Sequence, residues 1–256
     1  MNRLETYLSL CTEYYDLDKP TAPEKDLNFY LSYAEAAEGA ILEPMCGTGR
    51  FLIPLTERGF HVDGFDASHA MLEALQLKCR QKSLSPKIWH GFLEDLNEPK
   101  RYSLILIPAG SFGLILDLKQ AALCLKKIYE SLEPGGTFVL EGETFLGTPN
   151  KSTLDVQNRW TGSCKTRPDG KMIILSTLSL PPENHISQTL CRYELVDGHE
   201  IVKTEIELFK VRLYEPDVLT KMLHEAGFQE IKTLKAFDRN RSPDETDDVI
   251  VYECQK

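Results

Sequence analysis

At 256 residues the chain is long enough for one sizeable domain, or one domain carrying a large insertion, with a full core. Its 42% hydrophobic and 27% charged residues are ordinary for a globular protein, and no apolar run approaches the ~20 residues that span a bilayer. A net charge of −10, from 29 basic against 39 acidic residues, disfavours nucleic acid and anionic membranes as partners.

Residues 1–37 form an N-terminal segment carrying Tyr14 and Tyr15, then a loop with Pro20 and Pro23. A helix over 24–37 follows, with Leu27, Tyr30, Leu31 and Ala34 on one stripe. From residue 40 short apolar strands alternate with amphipathic helices. Strands are expected at 40–45, 60–65, 87–91, 104–107 and 137–141, and helices at 50–58, 68–81 and 119–132. Ser68 stands where an N-cap belongs, and the 104–107 strand is all Leu and Ile, as burial on both faces demands. The turn 134–136 precedes the last of these strands. Such alternation implies right-handed crossovers and a parallel sheet, hence an α/β fold with helices on both faces.

Between about 151 and 213 the period becomes two, punctuated by turn signals at Pro168-Asp169-Gly170, at 181–184 and at Asp197-Gly198. The runs 171–180, 186–196 and 200–213 read as antiparallel strands. The α/β pattern then resumes with a helix over 215–226, a turn at Gly227, and strands near 228–236 and 249–253. The organisation is therefore an N-terminal segment (1–37), a core (38–150 and 214–256) and an inserted antiparallel sheet (151–213). That sheet is a candidate substrate cap or homodimer contact.

Seven cysteines are scattered along the chain with no C-x-x-C pair. They read as free thiols, and neither a disulfide framework nor a metal site is expected. The first residues carry early charges and no long apolar stretch, so a secretory signal is not expected and a cytoplasmic location is the default.

The segment from Ile41 to Arg50 ends a strand and opens a helix, and it contains Gly47-Thr48-Gly49. Glycines there let the backbone turn sharply beneath a ligand, and the helix N-terminus behind them favours an anionic group. Asp66 closes the next strand, where a carboxylate accepts hydrogen bonds from a ribose diol. A dinucleotide fingerprint counted from Gly47 would need a glycine at position 52, which is Leu52.

The stretch Leu42-Glu43-Pro44-Met45-Cys46-Gly47-Thr48-Gly49 resembles motif I of the class I (Rossmann-like) S-adenosylmethionine-dependent methyltransferases. Asp66-Ala67-Ser68-His69-Ala70-Met71-Leu72 resembles their ribose-binding motif, and 102–112 their strand-four motif. Leu132-Glu133-Pro134-Gly135-Gly136 and Leu223-His224-Glu225-Ala226-Gly227-Phe228 match two further signatures. The matches are ordered and spaced correctly over 38–143 and 214–254. This resemblance implies S-adenosylmethionine as cofactor, with S-adenosylhomocysteine as product. The residues it assigns to the cofactor are Tyr15, Glu43, Cys46, Gly47, Thr48, Gly49, Arg50, Asp66, Ala67, Met71, Phe92, Leu93 and Pro108.

Three departures stand out: Met45 replaces the first motif glycine, Phe92 replaces the acid after strand three, and Ser103 replaces the Asp that opens strand four. The adenine amino group is then left to Glu94, Asp95 or backbone. No base is decisive. Tyr14, Ser111 and Glu143 are the candidates for catalysis: Ser111 as substrate orienter or loop cap, Glu143 as amine ligand or solvated rim charge, and Tyr14 as lid residue or docked-helix aromatic. His90 reads as structural. The chain lacks the [DNS]-P-P-[YFW] tetrapeptide of DNA amino-methylating enzymes and the Pro-Cys of cytosine C5 enzymes. The expected activity is in-line methyl transfer to N or O of a small molecule. The competing readings are a non-catalytic cofactor-binding protein and a protein or RNA methyltransferase.

Overall fold

A computed structural model describes residues 5–99, 101–144 and 159–256. Expectations for 1–4 and for 151–158, the start of the inserted region, lie outside the described residues. Two helices open the chain, α1 (Ser9–Asp18) and α2 (Glu24–Ala36). The core follows as β1 (Ile41–Pro44), α3 (Leu52–Glu57), β2 (Val62–Asp66), α4 (His69–Gln81), β3 (Ile88–His90), β4 (Tyr102–Ile107), α5 (Leu118–Ser131) and β5 (Leu132–Glu143). Then come β6 (Thr161–Thr166), β7 (Met172–Glu183), β8 (Ile186–Asp197) and β9 (Glu200–Arg212), and finally α6 (Pro216–Ala226), β10 (Glu230–Lys235) and β11 (Val249–Gln255).

The main sheet runs β10-β11-β5-β4-β1-β2-β3. Its β3-β2-β1-β4-β5 part is parallel, and β11 enters antiparallel between β5 and β10. Alternation along each strand divides the core. Ile41, Leu104, Leu106 and Val139 meet α2, α3 and α4 on one face. Leu42, Ile105, Ile107 and Leu140 meet α5 and α6 on the other. Strand order reverses between β1 and β4, and in an open α/β sheet the crevice at that reversal, beyond the strand C-termini, takes the ligand.

The second sheet, β6-β7-β8-β9, is antiparallel throughout. One face carries Ile173, Cys191 and Tyr193, which pack on Leu10, Cys11 and Tyr14 of α1. The N-terminal helix is thus the bridge between the two sheets.

Several expectations need correction. An N-terminal lid or helical segment was expected over 1–37 without bounds for a first helix, and α1 starts with no side-chain cap of its own to mark it. Strand β6 was missed because Thr161–Thr166 is polar and lies at a sheet edge, with β7 as its pairing partner. The 134–136 turn is absorbed as an irregularity inside a longer β5, between Tyr102↔Leu132 and Leu104↔Thr137. The proline signal at 181–182 does not end its strand. Strand β7 continues to Glu183 and turns at Asn184-His185, both with positive φ, as a tight two-residue hairpin requires.

Candidate active site

The loop after β1 takes the shape the motif demands. Met45, Gly47 and Gly49 all have positive φ (57°, 53° and 84°). Met45 therefore keeps the left-handed conformation of the glycine it replaces, at a cost of roughly 1–2 kcal/mol for an L side chain. Among the described residues, chain neighbours aside, the only atom near a Cβ added at Gly47 is Met71 Sδ, at 4.0 Å, which leaves room for a ligand against the backbone. Gly49 has the opposite reason, since a Cβ there would run into Leu75 of α4 and Ile53 of α3. Cys46 is buried beneath the loop, with its carbonyl accepting from Gly49 N–H at 2.9 Å.

Asp66 holds the loop from the next strand. Its carboxylate accepts from Gly47 N–H and from Ser68 N–H, both at 2.8 Å. Burial raises its pKa, opposed by the Ser68, Gly47 and Ala67 amides and by His90. Ser68 caps α4 by accepting from Met71 N–H at 3.1 Å, as expected, and its hydroxyl donates to Tyr7 O at 2.7 Å. Ala67 O receives His90 Nε2 at 3.0 Å, and the His90 ring stacks on His69.

Glu43 is only 2% exposed, and its Oε2 has no hydrogen-bond partner among the described residues. Burial pushes its pKa up to about 8, against the pull of the nearby Arg50 charge. Arg50 donates through Nη1 to Tyr15 OH at 2.8 Å, while its buried Nε is equally without a partner. A buried carboxyl group and a half-buried guanidinium, each with one buried atom lacking a partner among the described residues, thus lie near one another at the loop.

Beyond β3, Phe92 meets His90 edge-on at 6.1 Å, Leu93 is buried, and Glu94 accepts from Gln120 at 2.7 Å. At the end of β4, Ala109 and Gly110 both have positive φ (59° and 65°). Ser111 donates to Pro108 O at 3.0 Å and so serves as a loop cap. Glu143, at the end of β5, lies against Gly110, where an added Cβ would fall 2.7 Å from Glu143 Oε1.

Tyr14 is placed away from that edge. Its hydroxyl shares a hydrogen bond with Ser163 of β6 at 2.6 Å and its ring meets Tyr193. Of the three catalytic candidates, Ser111 and Glu143 flank one turn, and Tyr14 belongs to the contact between α1 and the second sheet.

Sequence reasoning gave no role to three groups that matter here, Asp16, Glu205 and Glu207, and placed a fourth, Glu141, at the opening beyond strand five without a partner. Asp16 of α1 accepts from Thr48 Oγ1 at 2.5 Å and from Lys78 at 2.9 Å, tying the helix to the loop. Glu207 of β9 accepts from Tyr7 N–H at 3.0 Å and Leu8 N–H at 2.8 Å, and Glu205 from Leu10 N–H at 2.7 Å. Glu141, buried on β5, accepts from the Tyr30 hydroxyl of α2. The alternation of 200–213 carried a signal for the β9 pair, since it puts Glu205 and Glu207 on one face.

Residues 41–136 match the model of a methyltransferase-domain family. The chain is 28% identical over 213 residues to a glycine/sarcosine N-methyltransferase of Halorhodospira halochloris, covering 80% of this chain and 72% of that one. Among solved structures, an S-adenosylmethionine-dependent methyltransferase of Clostridium acetobutylicum superposes with a TM-score of 0.76. The identity is 18%, and 95% of this chain and 96% of that one are covered. A sugar N-methyltransferase of Streptoalloteichus sp. gives 0.75 at 16% identity, covering 97% and 94%. At these identities the structural likenesses establish the fold.

Proposed function

We propose, for a chain that belongs to the class I S-adenosylmethionine-dependent methyltransferases, that it transfers the methyl group to the nitrogen of a small amine. The ligand-free chemistry of the loop fits the cofactor. A zwitterionic amino-acid end would complete both open valences, its ammonium on Glu43 Oε2 and its carboxylate on Arg50 Nε. Asp66 keeps lone pairs for a ribose diol beyond those used by Gly47 and Ser68. Gly47, Thr48 and Gly49 leave the backbone approachable, Cys46, Met71 and Leu93 form the apolar bed, and Tyr15 orients Arg50. Ala67, Phe92 and Pro108 complete the rim.

When bound, the cofactor would supply an electrophilic methyl on a sulfonium, and the acceptor lone pair would bond to that carbon in line as the C–S bond breaks and S-adenosylhomocysteine leaves. The protein then has chiefly to position, and holding two reactants in line supplies roughly 7–11 kcal/mol of the barrier. The observation that carries the amine reading is the acidic rim at the acceptor end. Glu141 is pushed up first by burial and also by the charges of Asp26 and Glu143, so the three carboxyl groups lie close enough to act on one another. Such a rim attracts an ammonium and disfavours an anionic acceptor. The relatives named for glycine/sarcosine and sugar N-methylation support the same class.

The second sheet serves in this reading as the cap over the acceptor. Its uncovered face, where Ile206 is 61% and Leu208 38% exposed, is the proposed contact with a second copy of the chain. A clean monomer in sedimentation at micromolar concentration would remove that contact. The main test is calorimetric titration of S-adenosylmethionine into wild type and Asp66→Ala, followed by labelled-methyl transfer to matched small amines and alcohols. Binding lost in the variant, with label on amines, supports the reading. Label on alcohols alone, or on protein or RNA alone, refutes it.

A further inference from the structure

The acceptor end is built around an unusual turn. Ala109 holds a positive φ of 59° although it has a Cβ, and Gly110 follows at 65°. A non-glycine residue in that region stays there only when its surroundings impose it. The surroundings include two carboxyl groups, Glu143 against Gly110 and Glu141 at the Ala109 amide. The Ala109 backbone N–H points at Glu141, which is 4% exposed. The same carboxyl accepts from Tyr30 of α2, a residue with no exposed surface. The Tyr30 ring packs edge-on against Phe51 at 5.1 Å, directly after Arg50 of the cofactor loop. Glu141 is thus the joint between α2, the turn after β4 and, through Tyr30 and Phe51, the loop after β1.

We infer that Glu141 is a positioning residue: gripped by Tyr30, it fixes the turn 108–111 against which the transferred group lies. The inference rests on the proposed cofactor reading. Its consequence is selective. The nucleoside and amino-acid ends of the ligand rest on Glu43 of β1, Arg50 of the loop after it and Asp66 of β2, and these strands lie two and three places from the β5 of Glu141 in the sheet order. A slack turn therefore weakens only ligands that carry a group at the transfer position.

The test compares two probes by calorimetry on wild type, Tyr30→Phe and Glu141→Gln. S-adenosylhomocysteine has nothing at the transfer position, and sinefungin carries an amine there. Tyr30→Phe removes one hydroxyl and keeps the ring packing, so it decides the matter should Glu141→Gln fail to fold. The expected result is S-adenosylhomocysteine binding within about twofold of wild type and sinefungin binding about tenfold weaker, the scale of one charge-assisted hydrogen bond. Equal weakening of both probes would mean a merely structural role and overturns the inference, as does unchanged sinefungin binding. Wild type that binds neither probe overturns the cofactor reading itself, and the inference with it.

Discussion

Helix α1 begins without a side-chain cap of its own, and the carboxylates that satisfy its first amides come from β9, almost two hundred residues away. Replacing Glu207 by Ala removes the acceptor of both Tyr7 N–H and Leu8 N–H. Two hydrogen bonds to a charged group would be worth about 3 kcal/mol even at the low end of their range. Part of that is offset, because burial of Glu207 raises its pKa against the help of the Leu8 and Tyr7 amides, and the variant no longer buries the group. The net is about 2 kcal/mol, or roughly thirtyfold in the opening equilibrium of α1. The contact is local, so hydrogen exchange read by mass spectrometry should show the 8–18 amides exchanging about thirtyfold faster, with α4 and α5 unchanged. Unchanged exchange in α1 would refute the capping argument. Equal acceleration everywhere would show that α1 is part of the global unfolding unit instead of a separately held cover. Glu207→Gln keeps one acceptor oxygen and should fall between the two.

Glu43 gives the sharpest pH dependence. Burial lifts its folded pKa from the ordinary 4.5 to about 8, so its contribution to stability is complete below 4.5 and is lost as pH rises through 8. Urea unfolding of the ligand-free protein should therefore show lower stability at pH 8 than at pH 6 from this group, and Glu43→Gln should flatten that decline; an unchanged slope in the variant sinks the assignment. Binding of the cofactor ammonium would ionise Glu43, so titrations at pH 7 should release a proton and their heats should vary with buffer ionisation enthalpy. Glu205 has the opposite sign. Burial raises it, but Lys203, Leu10 N–H and Ser9 together outweigh burial and hold it below the usual value, so its hold on α1 is complete above pH 4.5 and fades as pH falls. Gly49→Ala combines a φ of 84° with a collision against Leu75, and should cost at least about 2 kcal/mol in denaturant unfolding.

The parallel core was legible because its signals are local and mutually consistent. Strands such as Leu104-Ile105-Leu106-Ile107 are buried on both faces, and Ser68 caps α4 from its own neighbourhood. The geometry of the loop after β1 was legible for the same reason: Gly47 and Gly49 take the positive φ that a sharp turn needs, and Asp66 closes β2 beside them. What stayed hidden is what distance supplies. Asp16 finds Thr48 and Lys78 only after α1 has crossed the loop, and Glu141 reads as an ordinary strand residue until Tyr30 is brought over it from α2. Tyr14 illustrates the converse. An aromatic near the N-terminus reads equally as a lid residue or as an aromatic of a docked helix, and only its hydrogen bond with Ser163 on the second sheet favours the docked helix.

The carboxyl groups along the sheet edge are distinguished by their donors, and that difference divides the work. Asp66 has backbone amides on both oxygens, which fix its rotamer and leave lone pairs for neutral hydroxyl donors. Glu43 has an oxygen with no donor at all, so it is the one that gains most from a ligand cation. Glu141 is engaged by Tyr30 and the Ala109 amide, and is left to hold shape. Glu143, half-buried against Gly110, is open enough to meet the proposed amine, which buried Glu141 is not. An ammonium must lose a proton before its nitrogen can attack, so the group that attracts it should not bind it too tightly. Glu143→Gln should then raise the acceptor KM more than it lowers kcat at a pH below the amine's own pKa, where the acceptor arrives as an ammonium, and should change KM little above that pKa. A fall in kcat alone below that pKa would make Glu143 a proton acceptor in the reaction and not merely the group that draws the amine in.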